Sequence, residues 1–161
     1  MNASRLSVPF AVAMMTASGG SALAQAAPDV TAQEVLIKST LMTFNDANVT
    51  NNYDVFHAKL SKPFRDQFST EKLKGIFKSF IDQHIDFDIV VAKQPIPDQP
   101  VAVDDKGTLK IYGHFDTKPN WVTYKLDYIR SEGEWKIVGI DVKLAAPPVA
   151  PEEKSQSQKM K

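Results

Sequence analysis

No cysteine occurs in the 161 residues, so neither a disulfide framework nor a thiolate-based zinc site can be built. Charge of one sign is missing as well: 19 basic residues balance 19 acidic ones. With no positive excess to neutralise phosphates, a strongly basic nucleic-acid binder is excluded. Glycine is scarce, at 7 residues, and there is no Gly-rich phosphate loop and no G-x-S-x-G elbow. No cofactor is therefore expected. The three histidines, His57, His84 and His114, fall in separate segments, without the short spacing that metal ligands need, and no metal site is expected. No apolar run reaches the roughly 20 residues that span a bilayer, so stable membrane insertion is not expected. What is present is an ordinary apolar fraction, 43%, which suits one globular core rather than a disordered chain.

The first 24 residues read as an address. Arg5 is followed by the apolar run LSVPFAVAMMTA, then by small residues and the triplet Ala22-Leu23-Ala24. That order is a charged start, a short apolar middle and an A-x-A cleavage site. Cleavage would remove one Arg and no acid, leaving a formal charge of −1. The expected destination is the periplasm or the exterior.

Residues 25–30 read as a short Pro-containing arm, and the fold proper is expected over 31–144. Thr31 with Glu34 forms a capping-box pattern, and Leu36, Ile37, Leu41, Phe44 and Asn48 recur at helical spacing. Asn52 can cap a short helix over Tyr53–Leu60, Ser61 a turn through Phe64 and Phe68, and Ser69 a longer helix over Thr70–His84. From Asp86 the period shortens to two, which predicts a strand over Phe87–Val91. The run QPIPDQP, with three prolines, cannot be central strand and reads as a linker. A short edge strand at 101–103 and three long strands at 108–116, 121–130 and 135–144 follow, the long ones joined by hairpin-sized TKPN and SEGE. The segment 145–161 is rich in Pro, Ser, Gln and charge and is expected to be disordered. Helices first and strands afterwards predict an α+β fold with a mainly antiparallel sheet.

This layout resembles the nuclear-transport-factor-2-like superfamily of cone-shaped α+β barrels. The resemblance rests on a long capped first helix followed by Asn52-Tyr53-Asp54, on a helical half ending in a meander of strands, and on the closing Gly133-Glu134-Trp135-Lys136-Ile137 pattern. It implies N-terminal helices in the concave face of a curved sheet, a conical pocket, and frequent dimers through the outer sheet face. Catalytic members use inward Asp, His and Tyr side chains, but no stretch here matches their motifs closely enough to carry a role across.

Tyr124 and Tyr128 alternate with Leu126 on the strand face expected to point inward, where their hydroxyls would orient a ligand. Together with Phe44, Tyr53 and Phe115 they form the expected lining of a pocket for a small apolar or amphipathic molecule. On the preceding strand Leu109, Ile111 and Phe115 mark the core side, which puts Tyr112, His114 and Asp116 outside. For the last strand, Val138, Ile140, Val142 and Leu144 make one apolar face. Trp135, Ile137, Gly139 and Asp141 then lie opposite. Trp121, Ile129, Trp135 and Ile137 would form an outer patch suited to a homodimer or partner contact. Three readings follow: a non-catalytic exported ligand-binding domain, an isomerase or hydro-lyase with an inward Asp or His beside a Tyr, and an interaction module using the Trp-bearing face.

Overall fold

A computed structural model describes residues 26–147. The expected leader (1–24) and most of the expected tail (148–161) lie outside the described residues. The chain is α+β, with five α-helices and one 3-10 turn preceding an open, antiparallel, five-stranded sheet.

Helix α1 (Val30–Thr50) starts two residues earlier than the capping box predicts. Asp29, not Thr31, is the cap: its Oδ1 accepts the Ala32 N–H at 2.8 Å. Two good caps stand two residues apart, and the upstream one lengthens the helix by two residues. The helix ends at Asn51, whose left-handed backbone (φ 52°) returns its N–H to the carbonyls of Ala47 and Asn48. Helix α2 (Asp54–Lys59) follows an Asx turn, with Asn52 Oδ1 accepting the Asp54 N–H at 2.9 Å. Helix α3 (Lys62–Gln67) carries Pro63 in its first turn.

The helix expected over Thr70–His84 is two helices, α4 (Thr70–Ile76) and α5 (Lys78–Asp82), broken at Phe77. Phe77 and Phe80 both meet the Phe44 ring edge-on, at 4.6 and 5.4 Å, and the break lets both reach it. The strand expected over Phe87–Val91 is a 3-10 turn, Asp88–Ala92. Its cause lies 41 residues away in the chain. Buried Asn45 on α1 accepts the Phe87 N–H at 3.0 Å and donates to Asp86 Oδ1 at 2.8 Å, while Asp86 Oδ1 also takes the Asp88 N–H. The backbone is thereby wound into a turn that buries Phe87 and Val90, three apart, and leaves Ile89 and Val91 exposed.

The strands are β1 (Ile96–Pro97), β2 (Ala102–Val103), β3 (Leu109–Phe115), β4 (Trp121–Ser131) and β5 (Glu134–Ala145). They run in the order β1-β3-β4-β5, with β2 sharing β3's outer edge with β1. Leu109, Ile111 and Phe115 face the core with Val122, Tyr124, Leu126 and Tyr128. Tyr112 and His114 point away, as the alternation predicts.

Strand β5 departs from strict alternation. Asp127 pairs with Gly139, but Tyr128 pairs with Ile137, so Val138 is an extra residue in a β-bulge. A single extra residue exchanges the faces on its two sides. Ile140 and Val142 share the core face with Tyr124 and Leu126, and beyond the bulge so do Ile137 and Trp135. The proposed single patch is therefore divided. Trp121 and Ile129 stand on the outer face, while Ile137 is buried and Trp135 half-buried on the inner one.

Candidate functional site

The edge of β3 is where the sheet opens. Pro97 pairs with Gly113 and Ala102 with Lys110, so residues 98–101 span only the positions of Tyr112 and Ile111. Asp98 bonds Tyr112 through its N–H, at 3.0 Å, and the following residues must leave the sheet edge. Prolines make this departure rigid rather than loose, because their φ is fixed and they have no N–H to pair.

Between this loop and the first turns of α1 lies a cleft of about 630 Å³. That is within the range of small-molecule sites. Ile111 and Tyr124 contribute from the sheet, Ile37, Gln33 and Glu34 from α1, and Pro95, Pro97, Asp98, Pro100 and Val101 from the loop.

Tyr124 is the residue that gives this cleft chemical character. Its ring is buried, and its hydroxyl, without a hydrogen-bond partner among the described residues, is not sealed off but opens into the cleft. Its ring lies across Gly113, where an added Cβ would sit 2.7 Å from the hydroxyl and 2.3 Å from the Ile96 carbonyl. Burial, helped by the negative charge of Asp98, pushes the phenol well above its usual ionisation range. At neutral pH Tyr124 is thus a neutral donor and acceptor, not a base.

Tyr128, four residues along the same face, is in the opposite condition. Its oxygen lies 3.0 Å from Thr40 Oγ1 and the hydroxyl donates to the Leu36 carbonyl at 3.1 Å. Burial raises its pKa, and the Thr40 bond partly offsets the rise. It borders a smaller cavity of about 290 Å³ between α1, α2 and β5, where Lys59 Nζ donates to Thr43 Oγ1 at 2.8 Å.

The other expected lining residues lie elsewhere. Phe44 and Tyr53 sit inside the aromatic core. Phe44 contacts Phe56, Phe77, Phe80 and Phe87, and Tyr53 bonds Asn48 Oδ1. Phe115 is buried behind Tyr124, ring centroids 5.6 Å apart. Of the five, Tyr124 alone lines the larger cleft. The loop that forms its wall went unrecognised, since its prolines read as a linker. The usable signal was the coupling of three prolines with Gln and Asp side chains.

His114 and Asp116 do not pair with each other. His114 Nδ1 meets Asp98 Oδ1 at 2.7 Å, and its ring stacks on Trp121 with centroids 4.1 Å apart. Asp116, past the end of β3, accepts the Trp121 indole N–H at 3.1 Å. Among the described residues, no three His, Asp or Glu side chains converge as a metal site, and no helix is long and apolar enough to cross a membrane. No protein family, no curated protein and no solved structure matches the chain.

Proposed function

We propose that this chain is a non-catalytic binding module holding one small, mainly apolar ligand in the cleft between α1 and residues 94–101. One observation carries the reading: a tyrosine hydroxyl without a protein partner opens into a mainly apolar cleft of ligand size. In a cleft open to water this hydroxyl is solvated, and a ligand group that pairs with it replaces that hydrogen bond while the apolar lining is removed from water. The raised pKa of Tyr124 supports orientation of a ligand over proton abstraction. In this reading the sheet and helices are a cone of the nuclear-transport-factor-2-like kind. The protein is exported and pairs as a homodimer through its outer sheet face.

The test is thermal unfolding against a panel of sterols, fatty acids, aromatic acids, alcohols and amines. Specific binding must raise stability. Ile111→Trp, which fills the cleft floor, should abolish the shift while the variant remains folded. A panel without any stabilising compound, or a shift that survives Ile111→Trp, sinks the reading. The dimer is checked separately by light scattering, where a monomeric mass at high concentration removes it.

A further inference from the structure

We infer that the cleft's ligand carries a positive charge, an ammonium or amidinium group on a compact apolar body. The inference rests on the cleft being the binding site and adds the ligand's chemical class. Two carboxylates, Glu34 and Asp98, are part of the lining, and no Lys, Arg or His side chain is. Each carboxylate has one oxygen engaged and one without a partner among the described residues. Asp98 gives Oδ1 to His114 at 2.7 Å and keeps Oδ2. Glu34 gives Oε1 to Lys38 at 2.7 Å and keeps Oε2, while the Lys38 ammonium is also held by the Val91 carbonyl at 3.1 Å.

The cleft-facing Tyr124 hydroxyl supplies a further acceptor, and its pKa already registers the charge of Asp98. Gln33, Gln94 and Gln99 add amide oxygens at the wall. An ammonium has three donors and no acceptor, the complement of this set. An anionic head would instead face two like charges with no cation in the lining. Around these groups Ile37, Ile111, Val101 and the loop prolines provide the apolar contact. Carboxylates that are partly solvated attract through a screened field, so the preference must weaken with salt.

The experiment compares 4-phenylbutylamine, 4-phenylbutanol and 4-phenylbutanoate, three probes with one body and different heads, by calorimetric titration of the full chain. The amine is expected to bind about tenfold more tightly than the alcohol, and the carboxylate most weakly. At about 0.5 M salt, or in the Glu34→Gln, Asp98→Asn double variant, the amine-to-alcohol ratio should fall towards one. Equal affinity of amine and alcohol, or tighter binding of the carboxylate, overturns the inference and leaves the cleft as a binding site. Absence of binding by all three, with no stabilisation across the wider panel, removes the cleft reading and the inference with it.

Discussion

Tyr124 and Tyr128 share one face of β4 and almost the same burial, yet only Tyr128 has its hydroxyl bonded within the protein. The asymmetry makes different predictions for one chemical change. Tyr128→Phe strands Thr40 and loses a hydrogen bond, so it should destabilise by about 1 kcal/mol. Tyr124→Phe removes a cleft-facing hydroxyl with no protein partner, so the ligand-free protein should keep the parent's stability to within about 0.5 kcal/mol, while ligand affinity falls. Urea denaturation of both variants checks this, and a destabilised Tyr124→Phe would show that the hydroxyl is bonded within the protein after all. Gly113 has a stricter role. Its absent side chain leaves room for both the Ile96 carbonyl and the Tyr124 ring. Gly113→Ala forces that backbone and ring apart and should cost about 1–3 kcal/mol. The same variant should reduce affinity for any cleft ligand, because β1 and the loop after it are displaced. A variant with the parent's denaturation midpoint would contradict the close approach.

Strand β5 shows how one residue sets the orientation of an element. Deleting Val138 removes the bulge and restores one-to-one pairing with β4. Ile137 and Ile140 then stand two residues apart, so strict alternation alone keeps both flanking sets on the core face. The deletion should therefore change stability by no more than about 1 kcal/mol, read from the denaturation midpoint. A loss of about 2–5 kcal/mol would mean that the pairing is continuous and that the deletion turned one apolar set outward. Elements whose cause is local were legible in the sequence: α1 by its helical stripe, α2 by Tyr53, Phe56 and Leu60, and the three long strands by alternation between turn residues. Elements whose cause is distant were not. The 3-10 turn after Phe87 depends on Asn45, and no pattern within Phe87–Val91 carries that information. The bulge was equally hidden, because alternation holds on both sides of Val138 and only the pairing with β4 reveals the slip. Of the candidate site, Tyr124 was legible as an inward aromatic hydroxyl. Its cleft was not, because the wall is a proline loop whose position follows from where β1 and β2 grip β3.

For the molecule as a whole, the core is aromatic, and the chain's four tyrosines report on its integrity. Tyr53, Tyr124 and Tyr128 are all at most 2% exposed. Burial pushes Tyr53 up to about 12, and drives Tyr124 and Tyr128 higher still. Tyr112, on the outer face, is also raised, by burial and by its bond to Asp127 at 2.9 Å. A phenol whose pKa is raised by folding binds its proton more tightly in the native state than in the unfolded chain. The corresponding stability is fully present below the unfolded value of 10.0 and is lost as pH climbs through the folded value. The pH window is therefore from 10 upward, with Tyr53 alone losing most of its share by about 12. With three buried phenols acting in the same direction, the protein should unfold cooperatively in alkali. Phenolate absorbance and loss of the circular-dichroism signal should then rise together, with a midpoint above 10. Tyr124→Phe should move that midpoint upward, since one ionising group is removed from the native core. Phenolates appearing near the ordinary value while the dichroism stays native would mean that solvent already reaches these rings. The enclosed setting of Tyr124 at the cleft, and the ligand chemistry built on it, would then be lost.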